Sequence, residues 1–152
     1  MSICVKDVMI REVITVDANQ TAKNAARMMT KYGISGLVVH FKGQIIGILT
    51  ERDILTRVVA SGQDPEKVTV REIMTEPVIV VNPVMPLEKA ISIMFQERIK
   101  KLPVVEKNEK SVRLVGIISL TDVARLHPKL LEDIRALVDM TELKTEPNFY
   151  IR

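Results

Sequence analysis

The stretch GILTERD (Gly47–Asp53) decides the fold, because the chain writes it a second time as GIISLTD (Gly116–Asp122). Each version is a glycine, two apolar residues, a hydroxyl, two variable residues and an aspartate, with Thr50 and Ser119 as the matching hydroxyls. At this end the two copies match at an offset of 69, which pairs Gly47-Ile48 with Gly116-Ile117 and Asp53 with Asp122. Further upstream the offset is 65, pairing Leu37 with Leu102, Val39 with Val104, Ala25 with Ala90, Met29 with Met94 and Ile34 with Ile99. It reaches back to VKDVM (Val5–Met9) against VREIM (Val70–Met74). The change of offset places four extra residues in the polar run EKNEKSVR (Glu106–Arg113), where a hairpin turn tolerates added length. Self-similarity of this kind means that one supersecondary unit is built twice.

Both copies read alike. An extended apolar segment comes first, Glu12–Val16 or Pro77–Val81. An amphipathic helix follows. Leu87, Ala90, Ile91 and Met94 fall at i, i+3, i+4 and i+7 behind Pro86, and Ala22, Ala25, Ala26 and Met29 share a face ahead of Gly33, which suits a C-cap. Two strands joined by a turn come next: Gly36–Phe41 with Gln44–Leu49 about Lys42-Gly43, and Leu102–Val105 with Val112–Ile118. A second helix closes each copy, Glu51–Ala60 and Leu120–Leu126. The expected fold class is α+β (mixed α/β): two pseudosymmetric β-α-β-β-α repeats, residues 1–62 and 70–127, joined by a linker at 63–69 and followed by a C-terminal helix and tail in 128–152. A single unit of this size would be marginal alone, so the two must bury their strand faces together. In the last piece Leu130, Ile134 and Leu137 form a stripe with Leu131 and Val138 beside it. Such a stripe must pack on its own pair or on a second subunit.

Composition narrows the function. Hydrophobic residues make up 47% and charged residues 27% of 152, the balance of a globular protein. The lone Cys4 excludes a disulfide framework within the chain and a four-cysteine zinc site. No apolar run approaches the roughly 20 residues of a membrane span, and Lys6, Asp7, Arg11 and Glu12 interrupt any signal-peptide core. A cytoplasmic protein with no membrane contact is expected. Lys plus Arg number 22 and Asp plus Glu 19, but the two signs are interleaved and aromatics are only 3%, which argues against a nucleic-acid surface. His40 and His127 stand far apart without paired acids, so no metal site is expected. Cys4 has no histidine nearby to make it a nucleophile, and no glycine run precedes a Lys-Ser/Thr pair as a phosphate loop would require. No catalytic residue emerges.

The chemistry therefore concentrates at the two strand-to-helix junctions. Thr50 and Ser119, followed three residues later by Asp53 and Asp122 respectively, read as N-caps with a capping-box acid. A helix start of this kind is also a site for anions and sugar hydroxyls, and a carboxylate can accept both hydroxyls of a ribose diol. The two readings are compatible.

The doubled unit, with Gly-apolar-apolar-Thr/Ser-x-x-Asp closing each copy, resembles the CBS-domain pair, or Bateman module. DVMIREVITV (Asp7–Val16), EIMTEPVIVV (Glu72–Val81) and LPVVE (Leu102–Glu106) are similar to that family's other signatures, and the resemblance covers roughly residues 5–127. It implies a stand-alone, non-catalytic regulatory sensor with two clefts for an adenine nucleotide (AMP, ADP or ATP) or S-adenosylmethionine, and no cofactor. It implies ribose-binding roles for Asp53 and Asp122, and ribose or phosphate contacts for Thr50 and Ser119. It also implies adenine reading by the backbone of Ile14, Thr15 and Val16 and of Ile79, Val80 and Val81. Lys100 and Lys101 stand where relatives place phosphate-binding residues, and Arg52 lies within reach of phosphate. The first copy departs from the pattern: Ser35 and Gly36 replace the lysines, and Val38 replaces Pro103. Unequal clefts are therefore expected. The family resemblance further implies a homodimer and a separate effector protein. The rival readings are a ligand-free dimerisation or adaptor module and a DNA-binding regulator.

Overall fold

The computed structural model describes residues 3–141, with side chains through residue 136. The first repeat opens with β1 (Thr15–Asp17) and α1 (Ala22–Tyr32), continues through the hairpin β2 (Gly36–Phe41) and β3 (Gln44–Thr50), and closes with α2 (Glu51–Ile54). The second begins at α3 (Val70–Ile73) and contains α4 (Leu87–Gln96), the hairpin β4 (Lys101–Lys107) and β5 (Val112–Ser119), and α5 (Leu120–Leu126). The last helix, α6, spans Pro128–Thr141.

Local chemistry accounts for the boundaries. The Thr21 hydroxyl accepts the Asn24 amide to start α1, and Gly33 ends it in the left-handed region at φ 63°. Ile134 is buried in the second repeat's core with Leu130 and Leu131 packed beside it. The C-terminal stripe is thus covered by its own pair as far as residue 134, while the side chains of Leu137 and Val138 lie outside the described residues.

Two expected elements come out differently. The closing helix of the first repeat is α-helical only over Glu51–Ile54 and widens into a π-helical turn at Leu55–Val59. The opening strands are also shorter and unequal. In the first repeat β1 pairs in parallel with β2, Thr15 to Val38, Val16 to Val39 and Asp17 to His40. In the second, only Val81 pairs, with Val104. The Val81 amide donates to the Pro103 carbonyl and the Val105 amide to the Val81 carbonyl. The next bond toward the N-terminus would run from an amide at position 103 to the Ile79 carbonyl, and Pro103 has no N–H to donate.

The repeats exchange their opening segments. The turn of 3-10 helix at Val5–Asp7 buries Val5, and with Val8 it packs in the core of the second repeat against Leu87, Ile91 and Met94. Helix α3 instead places Val70 and Ile73 in the core of the first repeat with Val16, Ala25, Leu37 and Leu49. The exchange is reciprocal in detail. Ile10 bridges Ile117, and Thr75 bridges Ile48. The glycines of the repeated motif explain themselves here: a Cβ on Gly47 would stand 2.6 Å from Met74 Sδ, and one on Gly116 2.6 Å from Met9 Sδ. The linker is held too, by hydrogen bonds from Ala22 to the Val68 carbonyl and from Lys23 to the Pro65 carbonyl. Among the described residues, no helix is long and apolar enough to cross a membrane.

Candidate functional site

The end of β3 delivers Thr50 to the start of α2, and the two side chains there lock one another. Thr50 Oγ1 accepts the Asp53 amide at 3.3 Å, and Asp53 Oδ2 accepts both the Thr50 amide at 2.9 Å and the Thr50 hydroxyl at 3.1 Å. This is the reciprocal capping box that the spacing anticipates. The other oxygen, Oδ1, accepts the Thr75 hydroxyl at 3.0 Å across the exchanged segment. Asp53 is only 7% exposed. A carboxylate offers about four lone-pair directions, and three are occupied. One hydroxyl of a diol can therefore be accepted at Oδ1, fewer than the two expected from an isolated aspartate, with the Thr50 and Thr75 oxygens left as neighbouring acceptors.

Asp53 borders a cavity of about 410 Å³. Thr50, Arg52 and Asp53 line it from the first repeat, and Ile79, Lys100 and Lys101 from the second. The structure thus brings together six of the residues singled out in the sequence. It adds Thr75, Val78 and Arg98, which sequence reasoning missed. Thr75 carried a signal only in the repeat alignment, where its counterpart is the apolar Ile10. Arg98 adopts φ 55°, in the left-handed region where the first repeat has Gly33. A non-glycine residue there is uncommon, and strained positions of this kind cluster at functional sites.

The cations of the cleft are placed by the pseudosymmetry. The Lys100 carbonyl accepts the first amide of α5, as the Ser35 carbonyl accepts that of α2. Lys101 is the counterpart of Gly36, and the two meet: a Cβ on Gly36 would lie 3.5 Å from Lys101 Cδ. The Lys101 stem therefore lies along Gly36 at ordinary van der Waals distance. Burial pushes the half-buried Lys101 ammonium below the usual lysine range, while the charges of Asp122 and Glu51 act in the opposite direction.

The remaining candidates do not line this cavity. Ser119 and Asp122 face each other at the start of α5, with the Ser119 hydroxyl donating to Asp122 Oδ2 at 2.8 Å and accepting the Asp122 amide at 3.1 Å. Thr15 and Val16 are engaged in the β1–β2 ladder, Ile14 packs on the first core, and Val81 is buried in the second. Val80 borders a separate groove between the two hairpin turns, with Gly43, Lys107 and Ser111. Among the described residues, no group of three or more His, Cys, Asp or Glu side chains could hold a metal ion.

Comparison with known proteins places this architecture. The family model described as CBS domain matches residues 5–60 and again residues 70–129. The CBS domain-containing protein YhcV of Bacillus subtilis is 40% identical over 120 residues, covering 79% of this chain and 82% of its own length. A CBS domain pair crystallised with 5′-methylthioadenosine and S-adenosyl-L-methionine superposes with a TM-score of 0.74 at 29% identity, over 84% of this chain and 98% of that one. A hexameric CBS-CP12 protein from bloom-forming cyanobacteria superposes with a TM-score of 0.72 at 31% identity, over 95% of this chain and 87% of that one.

Proposed function

The chain belongs to the CBS domain family as a pair of repeats, and on that premise we propose that it is a non-catalytic sensor that binds an adenine nucleotide in the cleft at Asp53. One observation carries the reading: hydroxyl-binding groups, a free backbone edge and a surplus of cations converge on a single cavity. Asp53, Thr50 and Thr75 supply acceptors and donors for a ribose. The segment Val78–Ile79, which Pro103 cannot draw into the strand ladder, supplies backbone groups for the adenine edge. Arg52, Arg98, Lys100 and Lys101 outnumber the carboxylates of Glu51 and Asp53 in the lining. That balance favours a phosphorylated nucleotide over S-adenosylmethionine, whose sulfonium is positive, even though a structural relative binds S-adenosylmethionine. At the other junction, that of Asp122, the corresponding groups come from the first repeat, where the ladder engages Thr15 and Val16 and Ser35 and Gly36 replace the lysines. The two clefts are unequal on this reading.

Binding acts by preferring one arrangement of the pair over another, and the output passes to a separate effector protein. The functional unit is a homodimer in the cytoplasm. Thermal denaturation with AMP, ADP, ATP, GTP and S-adenosylmethionine tests the ligand class. A ligand at about 100 times its dissociation constant adds roughly 2.7 kcal/mol, so ATP or ADP should raise the melting temperature clearly. Mass spectrometry of material released from the denatured protein identifies any nucleotide already bound. No shift with any of the five, on protein free of bound nucleotide, leaves the adaptor reading in its place.

A further inference from the structure

Behind the cleft, outside its lining, stands Arg57 on the π-helical turn. Its Nη1 donates to the Ile73 carbonyl at 3.0 Å and to the Met74 carbonyl at 2.7 Å. The same nitrogen lies 3.9 Å from Asp53 Oδ1. The residue that follows those carbonyls is Thr75, whose hydroxyl donates to that same Oδ1. One guanidinium therefore fixes the backbone that presents Thr75 and places positive charge beside the oxygen that has a lone pair to spare. The second repeat lacks both parts. The counterparts of Arg57 and Thr75 are Leu126 and Ile10, and the described hydrogen bonds to the Asp122 carboxylate come from Ser119 alone.

We propose that Arg57 is a positioning residue: through Thr75 and its own charge it orients Asp53 Oδ1 toward a ribose hydroxyl, and this makes the first cleft the one that recognises the sugar. The inference rests on the nucleotide reading above. It gives the wider π-helical turn a role. A four-residue step from Asp53 to Arg57 brings both groups to one face, and the turn leaves the guanidinium in reach of the exchanged segment, which a purely apolar helix face would not need.

A cycle of two ligands and three proteins tests it. 2′-Deoxy-ATP and 3′-deoxy-ATP each lack one hydroxyl of the diol from which Asp53 would accept, and the analogue that the wild type binds more weakly is carried through the cycle against ATP. A hydrogen bond from a hydroxyl to a charged group corresponds to a preference of about tenfold or more. Calorimetry on the wild type should show that preference for ATP. Arg57→Leu should bring the ratio of the two affinities close to one, chiefly by weakening ATP. Arg57→Lys, which keeps the charge, should recover part of the preference. An Arg57→Leu protein that loses the same factor for both nucleotides would mark Arg57 as a structural strut and overturn the inference, as would one that keeps the wild-type ratio. Thr75→Val leaves Arg57 and its carbonyl bonds in place and should also flatten the ratio; it serves if Arg57→Leu does not fold, and a full wild-type ratio in Thr75→Val counts against the inference. A wild type that binds ATP without distinguishing it from either deoxy analogue, or binds none of the three, removes the ribose role of Asp53 itself.

Discussion

On the proposed reading, Asp53 serves stability and recognition with one carboxylate. Oδ2 completes the capping box of α2, and Oδ1 faces Thr75 and the cleft. Asp53→Ala should therefore lower stability by about 0.5–2 kcal/mol through the lost cap and also weaken ATP binding about tenfold or more. Asp122→Ala removes one hydroxyl partner from a residue with neither Thr75 nor Arg57 behind it. It should lower stability and leave ATP affinity within about twofold of wild type. Denaturation of the free proteins and calorimetry with ATP separate the two effects, and equal losses of affinity would show that the clefts are equivalent. Lys101 presents the opposite balance. Its pKa is lowered on folding, chiefly by burial, so the folded state binds fewer protons than the unfolded state between the lowered value and the usual one near 10.5. Stability gains from this group as pH rises through that window, loses the gain as pH falls back through it, and no longer changes with this group below the folded value. At neutral pH the buried charge is a cost. Lys101→Met should hold or raise the melting temperature of the free protein at pH 7, flatten its rise toward pH 10, and weaken ATP. A melting temperature that falls in the mutant would assign Lys101 a stabilising ion pair instead.

At the scale of elements, the decisive feature is a missing strand. Both repeats have the same apolar opening segment, but only Thr15–Asp17 is a strand. The difference traces to two positions: Val38 and Ala18 in the first repeat are Pro103 and Pro83 in the second, and the Ala18 amide that donates to the His40 carbonyl has no counterpart at Pro83. Pro103→Val restores the amide that can reach the Ile79 carbonyl, so the ladder should extend toward the cleft. The variant should be no less stable than the wild type, show slow hydrogen exchange at the amide gained at that position, and bind ATP more weakly because the Val78–Ile79 edge is occupied. Unchanged affinity together with a protected amide would mean that this edge does not meet the base. The exchange of opening segments has a related consequence. Val5 and Val8 belong to the second core and Val70 and Ile73 to the first, so neither repeat can close its core alone. The cleft sits on this seam, bordered by Thr75 from the exchanged segment. On the proposed reading, a ligand there would touch both repeats at once and so could favour one arrangement of the pair.

At the scale of the molecule, α2 and its π-helical turn leave two large apolar side chains exposed among polar ones. Leu55 is 60% and Val59 66% exposed, one helical turn apart, while Val58 between them is buried. Neighbouring exposed residues of this kind suit contact with another chain, and a structural relative is a hexamer. For a homodimer formed through this face, Leu55→Asp and Val59→Asp together should shift light scattering from the mass of two chains to that of one. The melting temperature at high dilution should change little, because exposed substitutions away from special features usually stay within about 0.5 kcal/mol. A double mutant that remains dimeric would move the interface elsewhere. α6 is a poor candidate over its first half, since Leu130, Leu131 and Ile134 already cover the second core.

The repeat, the order of its elements, the capping box at Thr50 and the N-cap at Ser119 were legible in the sequence, because each depends on residues close together: apolar spacing, a turn, a hydroxyl three places before an acid. So were six of the groups around the cleft: Asp53, Thr50, Arg52, Ile79, Lys100 and Lys101. What only the tertiary structure decided is which copy's groups meet. Periodicity carries no information on whether Val5–Met9 packs on its own repeat or on the other. The exchange is set by backbone approach, a contact so close at Gly47 and Gly116 that a Cβ would stand 2.6 Å from a methionine sulfur. That approach brings Thr75 to Asp53 and places Arg57 behind both. The inequality of the clefts was visible as substitutions at Ser35, Gly36 and Val38, but its cause was not. It lies in the N–H groups absent at Pro83 and Pro103, which keep the second opening segment out of the ladder that holds the first.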